Sequence, residues 1–180
     1  MPPLPPPVSC REQPEGDLGE RLTALFAQAF AAGYGQVCVI GSDAPHLSVG
    51  FVQEAFGRLS AGAEVVFGPA DDGGYYLVGL SRPLPALFAG IPWSTETVLE
   101  ESLRAAARES VAPTLLPRWY DIDTVDDLYR LERDLRRGTV SAPATAAAMP
   151  RILLPSRSPR QSALSSAHPA HTGTVAVGER

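Results

Sequence analysis

Apolar and polar positions along this chain follow two rhythms, and each change of rhythm marks an element. Leu18, Leu22, Leu25, Phe26, Ala29 and Phe30 recur at three- and four-residue steps. They predict an amphipathic helix over 17–33, with Asp17 as its N-cap and Gly33 just past its end. Residues 36–40 form a short β-branched run closed by Gly41, which predicts a buried parallel strand. Ser48 opens a second helix that turns Phe51, Val52, Ala55, Phe56 and Leu59 inward and ends at Gly62. Strands are expected over 64–67 and 75–80, joined by a tight turn at 71–74. A helix is expected from Thr95 to about Glu109, and a short strand over 114–116. The last helix starts at Thr124, where Asp127 three residues on completes a capping box. Leu128, Leu131 and Leu135 form its apolar stripe, and Arg133, Arg136 and Arg137 sit in its last turns. Strand–helix–strand units with short connections predict a three-layer α/β/α domain.

The ends of the chain break these rhythms. Pro2, Pro3, Pro5, Pro6, Pro7 and Pro14 make residues 1–16 an extended leader. No basic region precedes an apolar core there, so the leader is unlike a signal peptide, and a cytoplasmic location is expected. Residues 17–137 carry the domain. Residues 138–180 are Ala, Ser, Pro and Thr with scattered Arg, and Glu179 is the single acid, so a disordered tail is expected.

Composition then narrows the chemistry. The chain of 180 residues is 44% hydrophobic, which is globular composition, and no apolar run approaches the ~18 residues of a membrane span. Its 15 basic residues are all arginine, which excludes a phosphate-gripping lysine and a Schiff base. The net charge of -5 argues against generic nucleic-acid binding and suits a carboxylate site for a divalent cation. Cys10 and Cys38 make no disulfide framework and fit a reducing compartment, with Cys38 inside an apolar run.

Three acidic clusters sit where loops follow strands or precede helices. Asp43, in Gly41-Ser42-Asp43-Ala44-Pro45, is either a metal ligand at a strand end or an acid that closes a turn. Asp71-Asp72-Gly73-Gly74 is either a ligand-facing loop or an ordinary hairpin turn. Tyr75 and Tyr76 behind it alternate faces, which places one in the core and leaves one for the cleft. Asp121 and Asp123 point the same way in an extended segment, either as a cation site or as acids favoured at a helix start. His46 shares the Asp43 loop, as an acid–base group or an idle loop residue. Trp93 either stacks on a ligand ring or packs. His168 and His171 lie in the tail and are read as idle.

The clusters taken in order are more specific than any one of them. Glu15-Gly16-Asp17-Leu18-Gly19-Glu20-Arg21-Leu22, Ile40-Gly41-Ser42-Asp43-Ala44-Pro45, Gly68-Pro69-Ala70-Asp71-Asp72-Gly73-Gly74-Tyr75-Tyr76, Ile91-Pro92-Trp93-Ser94-Thr95 and Trp119-Tyr120-Asp121-Ile122-Asp123-Thr124 follow one another along the chain. Over about 13–137 this series resembles a bacterial family of glycosyltransferase-A-like proteins long labelled a domain of unknown function. Members are often named glycosyltransferases, some in connection with arsenosugar biosynthesis, and the family looks related to the guanylyltransferases of molybdenum cofactor and of 2-phospho-lactate.

The resemblance implies a nucleotide-diphospho-sugar transferase fold with a nucleotide-sugar or nucleoside-triphosphate site at the sheet edge. It implies Asp43 and Asp123 as the catalytic acids that hold Mg²⁺ or Mn²⁺, with Asp121 as their partner. Asp72, Gly73, Gly74 and Tyr75 match the block on the acceptor or sugar side, and Trp93 joins them as a candidate binding residue. The family opens with a strand and a Gly-rich, Lys-Thr-Arg-containing phosphate loop that nothing here matches, so the expected domain lacks its N-terminal part. Three functions follow: a metal-dependent glycosyltransferase, a nucleotidyltransferase that releases pyrophosphate, or a truncated non-catalytic remnant or subunit. Each of the first two takes a nucleotide-activated donor and a small-molecule acceptor.

Overall fold

The computed structural model describes residues 12–153 and 174–178. Residues 1–11 of the expected leader, with Cys10, lie outside these, as do His168 and His171. Helix α1 (Leu18–Ala31) starts on a complete capping box: Glu20 N donates to the Asp17 carboxylate, and Asp17 N donates to the Glu20 carboxylate. It closes just before Gly33, whose φ of 93° is the left-handed turn a glycine adopts at no steric cost. Strand β1 (Gln36–Ile40) leads through helix α2 (Val49–Ser60), capped by Ser48, to strand β2 (Val65–Pro69). A tight turn returns the chain as strand β3 (Tyr75–Leu80). A 3₁₀ turn (Pro85–Phe88) and helix α3 (Val98–Arg108) then lead to strand β4 (Thr114–Leu115).

The sheet order is β4-β2-β3-β1-β5, where β5 is Thr174–Gly178. β1 was expected to be a parallel strand, yet both of its neighbours, β3 and β5, run antiparallel to it. An unbroken apolar run reports burial on two faces and carries no information on direction. β1 does run the same way as β2, but β3 lies between them, antiparallel to each. β4 pairs with β2 in parallel. The carboxyl ends of β1, β2 and β4 therefore share one edge of the sheet.

Two cores flank the sheet and make the domain three-layered. On one face α1, the 3₁₀ turn and α3 pack Leu22, Phe26, Leu87, Phe88, Val98 and Ala105 against Val37, Val39, Val65, Phe67, Val78 and Leu80. On the other, Ala55 and Leu59 of α2 cover Cys38, Val66, Tyr76 and Leu77. Burial pushes the Cys38 thiol up to about 12, so it acts as a small apolar side chain. The register of β3 shifts where Gly68 faces Leu77 and Pro69 faces Tyr75. The extra residue is Tyr76. This bulge sends Tyr75 to the α1 side with Val78 and Leu80, and Tyr76 with Leu77 to the α2 side. The Tyr76 ring lies over Gly68, where an added Cβ would come within 2.4 Å of it, and its hydroxyl donates to Pro117 O at 2.9 Å.

Three other expectations change. The helix expected from Thr95 starts at Val98, because Thr95 and Thr97 engage each other locally: Thr97 N donates to Thr95 Oγ1, which itself donates to Pro92 O at 2.7 Å. Helix α4 (Val125–Arg137) has the expected capping box of Thr124 and Asp127 but is not the last helix. The segment 138–180, expected to be disordered, carries helix α5 (Pro143–Leu153), which packs on α4, and strand β5 along β1. Pro143 at the first helical position of an Ala-rich run is a helix start that composition alone concealed. Among the described residues no helix is long and apolar enough to cross a membrane.

Replacing Gly68 with alanine is expected to displace the Tyr76 ring and to cost about 1–3 kcal/mol. Urea unfolding of Gly68→Ala measures it; a midpoint equal to that of the parent would mean that the ring and the bulge do not depend on this close approach.

Candidate functional site

The three acidic clusters come from three parallel strand ends. Asp43 follows β1, Asp72 sits in the turn after β2, and Asp121 lies on the segment that continues β4. In open α/β sheets the ligand crevice lies at this carboxyl edge. The β2–β3 turn is fixed by backbone bonds between Ala70 and Gly74 and by Gly74 N donating to Asp72 Oδ1 at 2.8 Å. Gly73, with φ of 93°, meets the backbone of Glu96 so closely that an added Cβ would lie 2.0 Å from its carbonyl oxygen.

After β4 the chain stays beside β2, with Leu116 N donating to Phe67 O and Trp119 N to Pro69 O. It then crosses the sheet edge. Ile122 N donates to Asp43 O at 3.0 Å, so a segment that starts beyond β2 ends against the loop after β1. This crossing carries Asp121 and Asp123 over the start of β3. The carboxylate oxygens of Asp72, Asp121 and Asp123 come within 4.8 Å of one another. Asp43 is close enough that its charge also acts on Asp121. Burial, then the charges of Asp72, Asp123 and Asp43, raise the Asp121 carboxyl from 3.8 to about 6.

His46 lies beneath the crossing, 1% exposed, with its ring 4.1 Å from Tyr120 and 5.3 Å from Trp119. Burial and the nearby Arg130 lower it to about 4, so it is a neutral, packed imidazole near pH 7. Its surroundings fit a platform for the crossing segment. Arg130 covers the other part of that platform, 3.7 Å over the Tyr120 ring, and pairs with Asp71 at 2.9 Å.

Beside the acids a cleft of about 140 Å³ opens between β1, β3 and α1. Asp43, Asp72, Gly74, Tyr75, Trp93 and Asp121 all line it. Asp123 reaches the site through the acidic cluster. Gly73 packs behind it against Glu96. Asp72, which could bind a substrate hydroxyl or a metal on the sequence and matches the acceptor or sugar side by the resemblance, stands beside the carboxylates of Asp121 and Asp123. Tyr75 presents its ring, which contacts Phe67 at 4.8 Å and Trp93 at 6.4 Å, while burial raises its hydroxyl. Sequence reasoning missed Arg21, which lines the cleft from an inner position of α1, and Ser94, held at φ 63° on its rim. An arginine in register with Leu18 and Leu25 was a readable signal for the first; the second left none.

A bacterial family described as "uncharacterized protein conserved in bacteria" (DUF2064) matches residues 2–95. The structure is similar to that of a protein from Desulfovibrio desulfuricans whose name assigns it provisionally to the nucleotide-diphospho-sugar transferases. The two share 34% identity and a TM-score of 0.68 over 78% of this chain and 64% of that one. The chain thus spans less than two thirds of that protein's resolved length. Among curated proteins none matches.

Burial and like charge at Asp121 have a measurable consequence without any ligand. Its carboxyl titrates higher in the folded chain than in the unfolded one, so the folded chain holds more protons between the two values. Stability therefore falls as pH rises from about 4 to 6. Asp121→Asn is expected to stabilise the metal-free chain at pH 7 by about 1 kcal/mol, a figure discounted for solvent screening. The gain should vanish below pH 4. Thermal unfolding in EDTA at both pH values tests this, and an unchanged melting temperature at pH 7 would count against a repelling cluster.

Proposed function

Because this chain belongs to that DUF2064 family of bacterial proteins and gathers four aspartates at the carboxyl edge of its sheet, we propose that it is a metal-dependent glycosyltransferase with a nucleotide-activated donor. The observation that carries the reading is the convergence of Asp72, Asp121 and Asp123, with Asp43 beside them. All the donors are hard carboxylate oxygens, and burial with the neighbouring negative charges raises the proton affinity of Asp121. That donor set fits Mg²⁺ or Mn²⁺ and does not fit a thiolate- or imidazole-binding metal. When bound, such a cation would neutralise charge on the departing nucleotide diphosphate.

The chain's own residues do the rest. Asp72, Asp121 and Asp123 would hold the cation with Asp43 beside them, and the Ile122–Asp43 backbone bond keeps their two loops in register. The half-buried Trp93 and the Tyr75 ring offer apolar surface to a ligand in the cleft. The Gly74 backbone leaves room for close approach at the turn. The small-molecule acceptor would enter beside Asp72 and Gly74.

Mn²⁺ titration of the metal-free chain tests the reading. Asp72→Asn and Asp123→Asn are each expected to weaken binding by about tenfold or more. Asp121→Asn should weaken it as well while it stabilises the empty chain, and this pairing of opposite signs separates a metal site from acids that merely favour a helix start. Sugar nucleotides at a hundredfold excess over their dissociation constant should then stabilise the chain by about 2.7 kcal/mol, in Mn²⁺ only. Release of pyrophosphate from a nucleoside triphosphate and a phosphorylated acceptor would replace glycosyl with nucleotidyl transfer. Mn²⁺ affinities equal to that of the parent in every variant would overturn the metal site.

A further inference from the structure

Arg21 is the basic residue among those that line the cleft. It stands three residues after Leu18 and four before Leu25, so all three share the face of α1 that walls the cleft. The rest of that wall is apolar: Leu22, Val39, Val78 and Trp93. Among the described residues the Arg21 guanidinium makes no ion pair and no hydrogen bond. Its Nε is closed off from solvent and has no partner. The charges that act on Asp121 are Asp72, Asp123 and Asp43, and Arg21 is not among them. An enclosed guanidinium N–H without an acceptor is unfavourable, and a leucine would suit this helical position as well. An oxyanion in the cleft removes that cost, because the guanidinium fork matches the geometry of phosphate and carboxylate.

We propose that Arg21 is the anion-binding residue of the cleft and takes a phosphate or carboxylate oxyanion of the ligand. The inference rests on the reading of this cleft as the donor site, and it adds what the aspartates cannot supply: direct contact with negative charge. The cleft volume of about 140 Å³ is close to the ~150 Å³ that holds one benzene ring, so its enclosed part takes a ligand fragment about the size of one ring. Arg21 is placed for this grip on the wall of the cleft.

Calorimetric titration of the full chain in EDTA, with inorganic pyrophosphate and separately with succinate, tests the proposal without any metal. The parent is expected to bind at least one of the two. Arg21→Gln should weaken that binding by about 10- to 100-fold. Arg21→Lys, which keeps the charge and loses the fork, should fall between them. Mn²⁺ affinity without anion should be the same in Arg21→Gln and the parent. Loss confined to pyrophosphate assigns the site to phosphate, and loss confined to succinate assigns it to carboxylate; both uphold an oxyanion on Arg21. Equal affinity in parent and variants, or no binding of either anion by the parent, overturns it. If the glutamine variant does not fold, the lysine variant decides on the same readings. A chain that binds anions through Arg21 but fails the Mn²⁺ titration keeps this site and loses the metal reading alone.

Discussion

One backbone hydrogen bond, from Ile122 N to Asp43 O, joins the two ends of this site. Asp43 belongs to the loop after β1, and Ile122 to a segment that leaves the sheet beyond β2, two strands away. Without that crossing, Asp121 and Asp123 would lie over β4 and would not meet Asp72. The crossing depends in turn on what lies beneath it. His46, Trp119 and Tyr120 stack there, and Arg130 covers Tyr120 from α4. The capping box of Thr124 and Asp127 then starts α4 directly after Asp123, so the helix that supplies Arg130 is set by the segment it covers. Burial of a neutral imidazole on two aromatic faces gives a dry, rigid support, which suits a positioning role better than proton transfer.

The acidic cluster departs from the charge pattern of the rest of the chain. Elsewhere charge and helix geometry agree: Glu54 with Arg58 and Glu132 with Arg136 pair at four-residue spacing, and acids occupy the first turns of α3 and α4. At the sheet edge the chain instead sets carboxylates against one another and half-buries one of them. Natural sequences that are consistent at every other level place such conflicts at functional sites. Asp121 is the sharpest case, because burial and three neighbouring charges all oppose its ionised form.

Much of the fold was legible because its signals are local. Asp17, Thr124 with Asp127, Gly33 and Gly62 all stand where the sequence put helix ends, and each acts within one turn of itself. What could not be read depends on distant neighbours. The run of 36–40 showed burial but not that β3 would slot between β1 and β2. The alternation of Tyr75 and Tyr76 was correct, yet the bulge decides which ring faces which core. The site followed the same rule. Asp43, Asp121 and Asp123 were visible as acids at strand and helix ends, whereas the arrival of Asp72 among them needs the crossing segment. Thr95 misled because a local hydroxyl turn competes with the first helical turn it was expected to begin.

Charge in the cleft divides by element, and this division argues for a ligand with unlike parts. The acids arise from loops at the carboxyl edge, while Arg21 comes from the side of α1, and apolar side chains of β1, β3 and α1 lie around it. Had the cleft served only to hold the fold together, the cheapest arrangement would pair the guanidinium with one of those carboxylates and relieve both. The chain does the opposite: it leaves Asp121 among like charges and Arg21 without an acceptor for its Nε. A cation at the acids and an oxyanion at the arginine satisfy the two ends together. A phosphorylated ligand that brings a metal ion with it has both charges, so a single ligand would meet the acids and the arginine together.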